Sequence, residues 1–288
     1  MEFGISVAFS DPTHLGPMAR AAEQAGFARV ALSDHVVHPR HIRTPYPYTA
    51  DGTPRWPPFT GWLDPGVAIA SMAALTDRLR FFTSVYVLPM RNPFLVAKTV
   101  GSAAVLSGGR VELGIGAGWM EDEFELMQQP FAGRGRRMDE MIEVLRLIWS
   151  GGWVAHSGDH FEFDELEMSP VPERPIPIFV GGFSAPALRR AAAIADGWIS
   201  DLHTSVELGA LIARVKELRA DGPRADDPFE ILVTCSDAYD VAGYRRVADL
   251  GATHLTTMPW LFYGADPGVL QQKLDGIARF GDDVIAKM

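Results

Sequence analysis

Short apolar runs alternate with amphipathic stretches from one end of the chain to the other. The runs are rich in Val, Ile, Leu and Phe and do not alternate strictly with polar residues, a pattern typical of parallel strands that are buried on both faces. Eight such runs predict strands at residues 3–9, 29–33, 80–88, 111–116, 178–181, 198–200, 231–234 and 254–258.

Helical patterns lie between these runs. The clearest places Met138, Met141, Leu145 and Ile148 on one face, and it ends at a pair of glycines. Further helices are predicted at residues 15–25, 65–75, 92–108, 185–195, 206–218, 241–250 and 267–280. Eight strands alternating with eight helices favour an α/β chain folded as a closed (β/α)8 TIM barrel over an open doubly wound sheet.

Two segments interrupt the alternation. Residues 36–63 are rich in Pro, Tyr, Trp and Arg and show no helical period. Because they follow the second strand, we expect them to cover the mouth of the barrel, where the C-terminal strand ends carry the active site. Residues 153–168 predict a β-hairpin that turns at Gly158-Asp159. With no linker or repeat between these parts, residues 1–288 are expected to form one domain with two insertions.

Composition limits the partners and the location. Hydrophobic residues make up 47% of the chain, and the net charge is −10, which argues against nucleic acid and anionic membranes as partners. No apolar run approaches the roughly 20 residues of a membrane span, and the first residues lack the features of a signal peptide. The single cysteine, Cys235, fits a reducing compartment, so a cytoplasmic location is expected. We expect Cys235 to be a buried structural thiol rather than a nucleophile.

The motif Ser33-Asp34-His35 ends the second predicted strand. A histidine at this position can reach the mouth of the barrel, and an imidazole that titrates near neutrality suits proton transfer. The alternative is a loop histidine preceded by a helix-capping aspartate.

Histidines recur at His35, His38 and His41, which raises the possibility of a metal-dependent barrel hydrolase. Pro39 interrupts any helix that would align them, and an acidic residue would have to complete the ligand set. We therefore predict no metal site, and the hydrolase stays open as an alternative.

Two glycine-rich loops follow predicted strands. The loop from Gly114 to Trp119 allows the backbone to approach a flat ring or a phosphate, although a tight βα turn is the alternative. It is not a dinucleotide fingerprint, because Trp119 stands where that motif needs glycine. The loop from Gly181 to Ser184 precedes a helix whose N-terminus favours an anion. The alternative there is a simple helix cap at Ser184 followed by solvated arginines.

Taken together, these motifs resemble the bacterial luciferase-like flavin-dependent superfamily, in its branch that uses the deazaflavin coenzyme F420. The resemblance covers nearly the whole chain. It is carried by Ser33-Asp34-His35 and by residues 88–93, 106–110, 114–119, 121–124, 134–137, 177–182 and 195–198.

The resemblance implies roles for individual residues. His35 would face the reacting edge of the cofactor as the catalytic residue, and Asp34 would hydrogen-bond the ring system. Ser84 and Val85 would be joined by a non-prolyl cis peptide bond behind the ring. The remaining implied contacts are Gly116, Ala117, Gly118 and Trp119 beside the ring, and Gly181, Gly182, Phe183 and Ser184 around the phosphate.

The resemblance also bears on ligands and assembly. Arg40 and Arg43 are candidate partners for the anionic cofactor tail, and relatives are usually homodimers. The sugar-phosphate dehydrogenases of this branch carry a proton-donating glutamate where Trp119 stands. That departure puts sugar phosphates in doubt, so the small-molecule substrate stays unidentified.

We therefore expect hydride transfer between C5 of F420 and a small organic substrate. One alternative is an FMN-dependent monooxygenase supplied with reduced flavin by a partner reductase, but such relatives more often carry glutamate where Asp34 stands. A barrel that binds no cofactor is a further alternative. We also expect Gly116→Val to weaken cofactor binding, because a branched side chain would intrude on the ring.

Overall fold

The apolar runs form a closed parallel barrel in the computed structural model, which describes residues 1–288. The strands are β1 (Glu2–Ser6), β2 (Arg29–Leu32), β3 (Arg80–Thr83), β4 (Tyr86–Val87), β5 (Val111–Gly116), β6 (Val154–Ser157), β7 (Glu162–Leu166), β8 (Ile178–Gly181), β9 (Gly197–His203), β10 (Glu230–Cys235) and β11 (His254–Thr257). Pairing runs in the order β3-β2-β1-β11-β10-β9-β8-β5, and β3 also pairs with β5, which closes the ring. The predicted TIM-barrel fold is confirmed.

Helices follow the barrel strands. They are α1 (Leu15–Gln24), α2 (Pro65–Ala73), α3 (Pro93–Leu106), α4 (Glu121–Leu126), α5 (Arg134–Trp149), α6 (Ala185–Ile194), α7 (Ser205–Ala220), α8 (Val241–Asp249), α9 (Pro259–Phe262) and α10 (Leu270–Asp283). Strands β6 and β7 form the predicted antiparallel hairpin. Residues 36–63 contain neither helix nor strand, as expected. No helix has both the length and the apolar character that crossing a bilayer would require.

The core has two parts. A large cluster of aliphatic and aromatic side chains fills the space between the barrel and the surrounding helices. A smaller layer lies inside the barrel and consists of Ala31, Phe82, Phe179, Ile199 and Leu232. Residues two positions apart on a strand share a face, so the side chains next along these strands lie at the mouth.

Charged side chains fill the barrel below this layer, at the end opposite the mouth. The guanidinium of Arg29 is fully buried and donates to Glu112 at 2.7 Å, to Glu2 at 3.1 Å and to Glu230 at 2.6 Å. Arg80 joins the same network through Glu112 and Glu2. A buried charge is tolerated only when it is paired, so these contacts are a condition for closing this end of the barrel.

His254 lies fully buried at the same end, and neither of its ring nitrogens has a hydrogen-bond partner. Gly4 makes room for it, because a Cβ at Gly4 would lie 2.6 Å from His254 Nε2. Burial lowers the pKa of His254 well below its ordinary value, and the positive charges of Arg29 and Arg80 act in the same direction. The imidazole is therefore neutral in the folded protein.

The strand and helix ends differ from the prediction at a few points. The first strand ends at Ser6 rather than residue 9, since the chain turns at Ala8 and Phe9, where Phe9 has φ 59°, a left-handed conformation that does not occur within a strand. The predicted strand 80–88 is divided into β3 and β4, and the Ser84–Val85 peptide between them is cis. The short helices α4 and α9 were not predicted, since neither is long enough to show a helical period.

The neutral state of His254 predicts a specific sensitivity to acid. Below pH 6.5 the unfolded chain binds a proton at this residue that the folded chain does not. The free energy of unfolding therefore decreases as the pH is lowered. In His254→Leu this contribution disappears. The loss of unfolding free energy between pH 7 and pH 5 should then be about 2 kcal/mol smaller than in the parent.

Chemical denaturation at the two pH values measures this difference, and His160→Leu on the exposed hairpin serves as the control. An unchanged pH dependence in His254→Leu would show that the buried imidazole does not exclude a proton.

Candidate functional site

The segments singled out in the sequence meet at one rim of the barrel. Val85 lies between the two glycine loops, since a Cβ at Gly116 or at Gly181 would come within 2.6 Å or 2.5 Å of its methyl groups. The hydroxyl of Ser33 donates to the carbonyl of Ser84 at 3.3 Å. The ends of β2, β3, β5 and β8 therefore form a single site around Val85.

This packing changes the reason for which the two glycines are needed. Gly116 and Gly181 leave space for the side chain of Val85, so a branched residue at Gly116 would first collide with Val85. The expectation that Gly116→Val would intrude directly on a bound ring is thus corrected. Gly116→Val would therefore affect a bound ligand only indirectly, by displacing Val85.

Asp34 is buried beneath the rim, with 1% of its side chain exposed. One carboxylate oxygen accepts from the backbone N–H of Val87 at 2.9 Å, and the other accepts from Arg91 at 2.7 Å. Burial raises the pKa of Asp34, and the guanidinium of Arg91 opposes that rise. Both oxygens are thus engaged by the protein, which makes Asp34 an anchor for strand β4.

His35 is held by a carboxylate from helix α4. Its Nδ1 lies 3.0 Å from Glu123 Oε2, while Glu123 Oε1 accepts from the backbone N–H groups of Val36 at 2.8 Å and Val37 at 3.3 Å. Both side chains are nearly inaccessible, at 9% and 2% exposed. Because a carboxylate only accepts hydrogen bonds, the ring carries its proton on Nδ1 and leaves Nε2 for a ligand.

Three aromatic side chains pack against His35 and two more pack against those three, and we call the five together the aromatic cluster. Trp56 and Trp62 lie closest, with ring centroids 4.6 Å and 5.3 Å from the imidazole, followed by Trp119 at 6.2 Å. Tyr46 packs edge-on against Trp119 at 5.0 Å, and Phe9 contacts both Trp56 and Trp62. The cluster covers the imidazole, and three of its members come from residues 36–63.

Two arginines fasten residues 36–63 over the mouth. Arg55 makes two hydrogen bonds of 2.9 Å with the carboxylate of Asp201 on strand β9 of the barrel. Arg43 binds Asp122 at 2.7 Å and Glu125 at 2.6 Å, both on α4. Arg43 is thus already paired, whereas Arg40 is exposed to solvent. The segment lies where the sequence predicted it, as a cover over the barrel.

The first glycine loop meets an arginine that has no carboxylate partner. Gly118 has φ 81°, which glycine adopts without strain, and Ala117 beside it is half-buried. The carbonyl of Gly118 accepts from Arg134 Nε at 3.0 Å, and the guanidinium of Arg134 lies over the ring of Phe131. Helix α5 begins at Arg134 and has no acidic residue in its first turn.

The second glycine loop leads into helix α6. Gly182 has φ 115°, and its carbonyl accepts from Trp198 Nε1 at 2.8 Å. Ser184 caps the helix by accepting from the N–H of Ala187 at 3.4 Å, and the first turn carries no acidic side chain. Phe183 is partly exposed and packs edge-on against Tyr48. The helix dipole therefore faces the rim without a compensating negative charge.

The three histidines of residues 35–41 do not converge. His35 uses Nδ1 for Glu123, His41 is exposed, and no group of three His, Cys, Asp or Glu side chains is arranged to hold a metal ion. Cys235 is half-buried rather than buried, and it donates to Asp237 at 3.1 Å. Burial raises the pKa of the Cys235 thiol to about 11, which makes it a poor nucleophile near neutrality.

Two kinds of site residue were missed by reasoning from the sequence. Glu123 follows two other acidic residues, and nothing in that run marks one of them as the partner of a histidine 88 positions earlier. Trp56 and Trp62 lie in a segment without periodicity, so their faces could not be assigned. The one available signal was the density of aromatic residues in a segment expected to cover the mouth.

One family model and several individual proteins are similar in sequence to this chain. The model of the luciferase-like monooxygenase family matches residues 1–240. An uncharacterized protein of Mycobacterium tuberculosis (strain H37Rv) is 40% identical over the full length of both chains. An F420-dependent glucose-6-phosphate dehydrogenase of Gordonia bronchialis is 29% identical over 80% of this chain and 65% of its own.

Among solved structures, an F420-dependent secondary alcohol dehydrogenase in complex with an F420-acetone adduct has the same fold. Its TM-score is 0.73 at 16% sequence identity, and the match covers 100% of this chain and 99% of the other.

The contact between Glu123 and His35 predicts the tautomer of the imidazole. In Glu123→Gln the amide oxygen should stay with the backbone N–H groups of Val36 and Val37, which only an acceptor can satisfy. The amide NH2 then faces Nδ1, so the ring proton should move to Nε2. Nitrogen-15 NMR of the histidine side chains reads the tautomer directly.

Glu125→Gln, on the exposed side of the same helix, is the matched control and should leave the tautomer unchanged. A His35 spectrum identical in Glu123→Gln and the parent would contradict the assigned contact.

Proposed function

The chain belongs to the luciferase-like monooxygenase family, and we propose that it is an oxidoreductase that uses the deazaflavin coenzyme F420 to oxidise or reduce a small organic substrate. The observation that carries the proposal is the pairing of His35 with the buried carboxylate of Glu123 at a rim formed by two glycine loops. The F420-dependent relative from Gordonia bronchialis supports the choice of cofactor.

The rim fits an anionic, flat cofactor. The N-termini of α5 and α6 lack acidic residues in their first turns, and Arg134 has no carboxylate partner, so a phosphate and an anionic tail would meet favourable charge. Gly182 and Ser184 would hold the phosphate, and the loop from Gly116 to Trp119 would flank the ring. Val85, half-buried between the glycine loops, would support the ring from behind.

Bound F420 supplies two-electron hydride chemistry at C5. The side chains of this protein prepare the place for it. Glu123 holds Nδ1 of His35, so Nε2 would be the nitrogen that accepts or returns the proton that accompanies the hydride. Asp34 would fix the position of strand β4 rather than bond the ring itself. The aromatic cluster would exclude water from the reacting atoms.

The rival function is an FMN-dependent monooxygenase, which the name of the family favours. We expect the purified protein to bind oxidised F420 with a dissociation constant at least ten times smaller than that for FMN. The reason is that Arg134, which has no carboxylate partner, suits a longer anionic tail. Titration of both cofactors, followed by fluorescence, measures the ratio. Micromolar FMN binding without any F420 binding would refute the proposal.

The proposed role of His35 predicts a separation between rate and affinity. His35→Ala should lower turnover by roughly 10²- to 10⁴-fold, the usual contribution of general acid–base catalysis. The dissociation constant for F420 should change little, because the nearest partners of His35 are Glu123 and Trp56, and the ring of Trp119 in the first glycine loop lies farther away, at a centroid distance of 6.2 Å.

F420 absorbance with the best substrate of a screen measures turnover, and fluorescence titration measures affinity. His41→Ala, on the exposed part of the same segment, is the control and should match the parent in both. Equal losses of rate and affinity in His35→Ala would show that His35 belongs to the cofactor site.

A further inference from the structure

We propose that the substrate is an uncharged molecule with an apolar ring body and one hydrogen-bond-accepting oxygen, a ketone or alcohol bound within the aromatic cluster around His35. The proposal rests on the proposed function where it names a substrate, since binding alone does not require the reaction. It is carried by three observations, which concern shape, unpaired donors and charge.

The shape of the site comes from flat side chains. The indole of Trp56 tilts by 39° against the imidazole of His35 at a centroid distance of 4.6 Å, and Trp62 stands nearly perpendicular to Trp56. Tyr46 and Trp119 pack edge-to-face against each other, and both rings also contact Trp56. Aromatic faces at these angles provide large apolar contact area for a ring of similar size. A guest that reaches His35 must displace or join these rings.

Two donors in the cluster have no acceptor. The indole N–H groups of Trp56 and Trp62 are buried and unpartnered, and Trp56 as a whole is 7% exposed. Two other buried tryptophans are satisfied, since Trp149 donates to the carbonyl of Ala97 at 3.0 Å and Trp198 donates to the carbonyl of Gly182 at 2.8 Å. A buried N–H without a partner is unfavourable, so an oxygen brought by a guest would be held here.

The charges around the cluster exclude an anion. Arg55 is the one arginine that stacks on a ring of the cluster, and Asp201 already holds it through two hydrogen bonds. Arg91 beneath the rim is likewise held by Asp34, and Glu123 balances any charge on His35. A phosphate or carboxylate in the cluster would lose its hydration without gaining a free cation. A sugar phosphate would need a free cation at its phosphate, and the cluster offers none.

The test uses three probes of nearly equal shape on the full chain: acetophenone, its anionic counterpart benzoate, and ethylbenzene, which has no oxygen. We expect acetophenone to bind at least ten times more tightly than benzoate in calorimetric titration, because the cluster offers a donor but no cation. Ethylbenzene should bind more weakly than acetophenone, since it cannot satisfy the indole N–H groups.

Two variants test the donors without removing the flat rings. Trp56→Phe and Trp62→Phe should each weaken acetophenone binding by roughly three- to tenfold and leave ethylbenzene binding unchanged. Trp153→Phe, on the exposed hairpin, is the control and should behave as the parent. Thermal melting of each variant establishes that it is folded.

The outcomes separate this proposal from the proposed function. Failure of acetophenone to bind up to its solubility limit, tighter binding of benzoate or glucose 6-phosphate, or equal losses for acetophenone and ethylbenzene in the variants would each overturn the substrate class. F420 titration is independent of these results. The expected probe pattern without F420 binding would support the proposed substrate site and refute the proposed cofactor. F420 binding together with tight anion binding would support the cofactor and refute the substrate class.

Discussion

The site depends on one buried carboxylate. Glu123 accepts hydrogen bonds from Nδ1 of His35 and from the backbone N–H groups of Val36 and Val37. A single side chain therefore fixes both the imidazole and the start of the covering segment. Since Glu123 lies on α4, the loop after β2 is bound to the loop after β5. Without that contact neither the nitrogen of His35 that faces the ligand nor the start of the covering segment would be fixed.

The distribution of charge divides the molecule into regions with different tasks. At the closed end of the barrel, Arg29 is neutralised by three carboxylates and serves only structure. Over the mouth, Arg55 is neutralised by Asp201 and holds the cover in place. Beside the glycine loops, Arg134 has no such partner. The proposed anionic cofactor and the proposed uncharged substrate would therefore lie on adjacent sides of the same rim without competing for the same cations.

The positions of the barrel strands could be predicted because each is a short apolar run that must be buried on both faces. Their ends could not, since the turn at Ala8 and Phe9, where Phe9 has φ 59° and packs against Trp56 and Trp62, has no signal in the local composition. His35 and Gly118 could be placed because strand ends meet at one rim. Glu123 could not, because its partner is distant in the sequence and its neighbours are equally acidic.

The contacts of Asp34 show why the place of a residue in a sequence motif does not decide what its side chain binds. The resemblance implied that its carboxylate would hydrogen-bond the ring, but the carboxylate is buried beneath the rim and binds Val87 and Arg91. Val87 follows Val85 by two residues, and Val85 fills the space that Gly116 and Gly181 leave open. By binding the backbone of β4, Asp34 therefore helps to hold Val85 in place at the base of the barrel mouth. An isosteric amide at this position would keep the acceptor for Val87 but lose the ion pair, so Val85 would be held more weakly while His35 stayed in place.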